Sequence, residues 1–165
     1  MGFFDLFKPK LPTVQSILPD AAVNEIMHGR LPILRTDKVF LKRGEQCHYI
    51  DKAIYEKRSV RKRYIRSNHA TTFPGMFAKE IRHSYGGGTT DVVDNVQYST
   101  IRGILYITNR RLIFVGEQGG FDKKLDELIA ITPYSNGVDI QTSKENYKMF
   151  VPDGKIVHAV LQMVR

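Results

Sequence analysis

The sequence predicts a mainly β chain of the α+β class. An antiparallel sheet of about seven strands is expected, covered by a C-terminal helix and carrying a basic β-ribbon insertion. Three observations predict it. Residues 103–116 hold two short runs rich in β-branched and aromatic residues, 104–108 and 111–115, with Asn109 and Arg110 between them where the chain must reverse. Thr and Asn bond their local backbone and Asn tolerates positive φ, so the reversal has a mechanism. Further short alternating runs follow at turn-sized spacing. Finally, Ile156, Val157, Val160, Leu161 and Val164 recur at helical spacing and mark the buried face of a last helix.

The chain of 165 residues is one domain, or one domain with an elaboration, and is long enough for a core. No apolar run approaches the ~20 residues that span a bilayer. The opening, with its early Asp5, does not read as a secretory signal, and Leu6 breaks the myristoylation pattern that Gly2 invites. A single cysteine, Cys47, excludes an internal disulfide and fits a reducing compartment, so the cytoplasm or the membrane periphery is the expected location. The net charge of +8 is uneven: residues 1–102 carry 17 Lys and Arg against 10 Asp and Glu, and residues 103–165 carry 8 against 7. The positive charge belongs to the first two thirds.

In order along the chain, residues 1–13 read as an apolar arm with Phe3, Phe4, Leu6 and Phe7. Four large apolar side chains are rarely left bare, so the arm docks on protein or, less readily, on a membrane. Residues 14–38 hold a short helix and a connector. The helix, 21–28, has Asp20 as N-cap, a face of Ala22, Val23, Ile26 and Met27, and Gly29 as its left-handed stop. The domain proper spans 39–165, with an insertion at about 57–100. Its first strand is expected over 47–55.

Residues 57–66 hold six cations and no acid: Lys57, Arg58, Arg61, Lys62, Arg63 and Arg66. As an extended segment it shows no clean inside and outside, and reads as a protruding ribbon or sheet edge. Residues 76–85 read as a returning strand, with a helix as the alternative. The glycines 86–88 mark a flexible tip, and 92–101 lead into the hairpin. Beyond residue 115, strands are expected over 121–125, 128–133, 138–142 and 147–151. Asn136-Gly137 is a hairpin signal that favours positive φ.

The segment Gly-Ile-Leu-Tyr-Ile-Thr-Asn-Arg-Arg-Leu-Ile-Phe, residues 103–114, resembles the central hairpin of GRAM-type and bacterial PH-like domains. There a Gly-x-Leu-x-(Ile/Val/Leu)-Thr-(Asn/Asp)-x-Arg-(Leu/Ile)-x-Phe pattern is followed by a polar break, further strands and a C-terminal helix. The similarity covers residues 103–165, and Leu41-Lys42-Arg43-Gly44-Glu45 is a looser match to the opening of the same domains. The resemblance implies a bent sheet or partial barrel capped by the helix. It also implies a non-catalytic binding or adaptor module. In phosphoinositide-binding members the basic residues sit on the first strands and their loop, and 57–66 matches that location by chain order.

Enzyme chemistry finds little support in the residues. Cys47 and His48 are adjacent, so on a strand they point to opposite faces and make no nucleophile–base pair; a half-buried Cys beside an exposed His is the plainer reading. The five histidines lack paired ligand spacing, one cysteine leaves a zinc site without partners, and no phosphate-cradling Gly-rich motif is present, so no metal and no cofactor is expected. The basic segment is the one candidate with physical reach. Its partners would be an anionic phospholipid surface or a protein, with Phe3, Phe4 and Phe7 as further contacts, or nucleic acid through the same ribbon, where Tyr64 can stack. The same cations also describe a solvated arm. Arg110 and Arg111 read as turn and strand-start residues.

Overall fold

The structure, a computed structural model, describes residues 11–67 and 89–165. The chain divides into two compact units, one of Met1–Lys57 with Ser99–Arg165 and one of Arg58–Tyr98. A single seven-stranded sheet contains β1 (Cys47–Ser67), β2 (Thr89–Thr108), β3 (Arg111–Gly116), β4 (Gly119–Lys124), β5 (Leu128–Tyr134), β6 (Gly137–Thr142) and β7 (Asn146–Phe150). Its order is β4-β3-β2-β1-β7-β6-β5, and the pairs β2–β3, β3–β4, β5–β6, β6–β7 and β1–β7 are antiparallel. Two helices complete the described chain, α1 (Asp20–Met27) and α2 (Gly154–Val164). The predicted class, mainly β with a C-terminal helix, is what forms.

The β2–β3 hairpin explains why both its faces are apolar. Tyr106 stands opposite Ile113, while Leu105 and Ile107 stand opposite Phe114 and Leu112. One face, with Leu105, Ile107, Leu112 and Phe114, enters the main core. The other, Tyr106 and Ile113, closes over Cys47 and is covered by Val39 and Leu41. Edge-on contacts of Tyr55 with Phe114 and Phe121, at 5.8 and 5.5 Å between centroids, and the tilted Phe121–Tyr147 pair at 4.2 Å join β1, β3, β4 and β7.

The helix α2 is amphipathic in sequence and in fact: Ile156, Val157, Val160 and Leu161 are buried and Val164 packs on the same core. Asp153 caps it by accepting from the Lys155 N–H at 2.8 Å. The helix α1 packs on α2. Ahead of α1, the segment 16–18 is pinned by the buried Asp51 carboxylate, which accepts from Ser16 Oγ at 2.6 Å and from the Ile17 N–H at 2.7 Å.

Several expectations need correction. Asp20 is the first helical residue rather than the cap; Pro19 holds the cap position without a side-chain hydrogen bond. Ala22 and Ile26 are buried and Val23 packs on the core, but Met27 is 69% exposed. Eight residues give only about two turns, and the last side chain falls off the buried stripe. Gly29 does take positive φ, 72°, and the Gly29 and Arg30 N–H groups reach back to the Ile26 and Glu25 carbonyls as the left-handed helix ending requires.

The first strand does not stop at residue 55. It runs on through the basic residues as one strand of 21 residues, because no Gly or Pro interrupts positions 47–67. Neither Asn136 nor Gly137 takes positive φ; Ser135 and Asn136 form the turn and Gly137 opens β6. Gly119 and Gly120 belong to β4, and a short 3-10 turn over Leu125–Glu127 replaces the simple break before β5. The returning segment 76–85, the glycine tip 86–88 and the first ten residues of the arm lie outside the described residues.

Candidate functional site

The basic segment is the second half of β1. Along a regular strand alternate residues share a face, so Arg58, Val60, Lys62 and Tyr64 line one side and Lys57, Ser59, Arg61, Arg63 and Ile65 the other. Lys57, Arg58, Arg61, Lys62 and Arg63 are all exposed. The structure therefore places these five predicted site residues along one strand with cations on both faces. Arg66 lies within the same strand, but its side chain is outside the described residues, as are Phe3, Phe4 and Phe7.

Composition alone did not reveal how much apolar surface accompanies these cations. Val60, Tyr64 and Ile65 of β1 are exposed, and so are Val92, Val93, Val96 and Tyr98 of β2, with Tyr64 at 69% and Tyr98 at 65%. Among the described residues of the unit Arg58–Tyr98, none is buried. The signal was in the sequence as the run 92–98, which carries three valines and a tyrosine, but it read there only as a strand leading into the hairpin.

The second cluster of polar side chains is buried and was not foreseen. Glu45, its side chain fully inaccessible, sits at the heart of it. Arg111 clasps the carboxylate with Nε on Oε1 and Nη2 on Oε2, both at 2.9 Å. The Thr108 hydroxyl donates to Oε1 at 2.7 Å, and the Lys42 N–H donates to Oε2 at 2.8 Å. Arg111 also donates through Nη1 to Asp122 at 2.5 Å and through Nη2 to the Phe40 carbonyl at 3.0 Å.

Beside it Asn109 bridges to the 44–46 turn: its N–H donates to the Gln46 carbonyl at 3.0 Å and its Oδ1 accepts from the Gln46 N–H at 3.0 Å. Burial alone would raise the Glu45 pKa. The hydrogen bonds from Arg111, Lys42 and Thr108 outweigh it and hold the carboxyl at about 2, so it is ionised. The same carboxylate keeps the Arg111 guanidinium more firmly protonated than usual.

This network joins the Gly44-Glu45 turn to the Thr108–Arg111 turn. The sequence reads Arg110 and Arg111 as turn and strand-start residues, and Arg111 is an anchor within the fold: its charge is spent on Glu45 and Asp122. Cys47 and His48 make no catalytic pair. Both are buried, which corrects the expectation of an exposed histidine: the connector 30–34 covers β1 here, and His48 Nδ1–H donates to the Pro32 carbonyl at 2.7 Å. Burial pushes the Cys47 thiol up to about 11, away from the reactive thiolate.

Among the described residues no group of three His, Cys, Asp or Glu side chains is placed to hold a metal ion. No helix among them is long and apolar enough to cross a membrane. The chain matches no family model, no curated protein and no solved structure.

Proposed function

We propose that this chain is a non-catalytic binding module of the PH-like, GRAM type whose basic ribbon engages an anionic membrane surface. The observation that carries the proposal is the pairing of five exposed cations on β1 with exposed Val, Ile and Tyr side chains on the same two-stranded unit. In water such a ribbon is poorly supported, since two strands alone bury little. At a bilayer interface both features become favourable: Lys and Arg meet anionic headgroups, and Tyr settles at headgroup depth. The PH-like reading draws support from the antiparallel sheet with its C-terminal helix, and from the network that ties together the two resembling stretches. Under this reading the protein works as a peripheral protein at the cytoplasmic face.

The test is co-sedimentation with phosphatidylcholine vesicles and with vesicles enriched in phosphatidylserine. Each Lys or Arg near such a surface contributes about 1 kcal/mol, so Arg61→Ala, Lys62→Ala and Arg63→Ala together should weaken binding roughly 100-fold. Absence of pelleting with anionic vesicles at low salt overturns the membrane reading. One observation favours a second reading. A two-stranded ribbon with cations on both faces is the shape that the DNA major groove admits. Steeply salt-dependent binding to duplex DNA, with no vesicle binding, would pass the ribbon to nucleic acid.

A further inference from the structure

Within the unit of Met1–Lys57 and Ser99–Arg165, a cleft of about 490 Å³ opens beside the β2–β3 turn. Lys42, Arg110, Lys124 and Arg165 converge on it from four different segments of the chain, over a wall that includes Leu125. Arg111 also reaches this cleft, but its charge is already met by Glu45 and Asp122. Among the described residues, Asp126 is the one acidic side chain in the lining. Among the described residues, no carboxylate lies within 4 Å of Lys42, Arg110 or Lys124. Concentrating like charges around a concavity costs energy unless an anion offsets them.

The cations stand on fixed backbone. The Lys42 N–H is held by Glu45. The Arg110 N–H is held by Thr108 Oγ1 at 3.1 Å, while the Arg110 carbonyl accepts from the Leu125 N–H at 3.0 Å. The Arg110 guanidinium passes close over Gly44, where a Cβ would stand 3.4 Å from Nη2. Arg165 is steadied by donating from Nη2 to the Leu128 carbonyl at 2.9 Å, a neutral acceptor that leaves its charge unspent. The buried Glu45–Arg111 pair thus acts as a base on which three cation-bearing segments are set.

We infer that this cleft is a binding site for a phosphate-bearing ligand, a phosphomonoester or pyrophosphate group held by Arg110, Lys124 and Lys42. A phosphate dianion accepts a bidentate guanidinium and point-charge ammonium groups together, which is the donor set present. The size suits one small molecule or one headgroup rather than an extended polyanion.

The test is isothermal titration of the full chain with inorganic pyrophosphate. Saturable binding is expected with one site per chain. Arg110→Gln and Lys124→Gln should each weaken it at least tenfold, while Asp126→Asn strengthens it. The ribbon triple variant should bind pyrophosphate as the parent does, which separates this site from the ribbon. All six changed side chains are on the surface, and thermal melts of each variant matching the parent verify the fold. Competition by pyrophosphate against vesicles containing a phosphoinositide would assign the site to a lipid headgroup, and its absence to a soluble phosphate. No saturable binding, or binding that Arg110→Gln and Lys124→Gln leave unchanged, overturns the inference.

Discussion

Replacing Glu45 by Gln removes one charge from a side chain that is fully inaccessible while keeping its shape. The carboxylate accepts four hydrogen bonds, two from Arg111 and one each from Thr108 and Lys42. An amide in its place must turn one NH2 toward donors, whichever way it is flipped. The magnitude follows from the pKa. Holding the carboxyl at about 2 against its ordinary 4.5 corresponds to about 3 kcal/mol of folding stability. That agrees with the ~3–5 kcal/mol cost of breaking a buried pair from one side.

Because the folded-state value is depressed, this stabilisation is fully present above about pH 4.5 and fades as pH falls toward 2. Glu45→Gln should therefore lower the urea-unfolding free energy by about 3 kcal/mol at pH 7. In a thermal melt this is a drop of roughly 6–12 °C for a chain of this size. Toward pH 2.5 the gap between parent and variant should narrow. A variant within about 0.5 kcal/mol of the parent at pH 7, or a gap that does not change with pH, refutes the assignment of Glu45 as the ionic anchor.

Three further outcomes are expected. Gly154→Ala places a Cβ 1.9 Å from the Gly137 carbonyl oxygen and 2.3 Å from that of Tyr134, so α2 must move away from the β5–β6 turn, at a cost of about 1–3 kcal/mol in denaturant unfolding. Leu161→Ala should cost about 2–5 kcal/mol, whereas Met27→Ala, on an exposed helix position, should stay within about 0.5 kcal/mol. Cys47, buried and with its thiol at about 11, should resist a thiol reagent at pH 8 in the native protein and label fully in urea; fast native labelling would contradict its burial.

Local pattern carried much of the fold. The β2–β3 hairpin and α2 were legible because a two-residue and a 3.6-residue period are written directly in which positions are apolar. The length of β1 was not, since cations in a strand look the same in sequence as cations in a loop. His48 escaped because its cover comes from Pro32, in a connector without a period of its own. The anchor was least legible of all: Glu45 and Arg111 are 66 positions apart, and a lone Glu or Arg in sequence resembles a surface charge. The cleft at Arg110 and Lys124 is assembled from four separate segments and has no linear signature.

The central claim, that the ribbon settles at an anionic bilayer, can be read by one fluorophore. The chain has no tryptophan, so Tyr64→Trp, at an exposed ribbon position, introduces a single reporter. A blue shift and stronger emission on adding phosphatidylserine vesicles, absent with phosphatidylcholine alone and abolished by Arg61→Ala, Lys62→Ala and Arg63→Ala, is the predicted result. Emission that stays at its aqueous wavelength with anionic vesicles would contradict the claim.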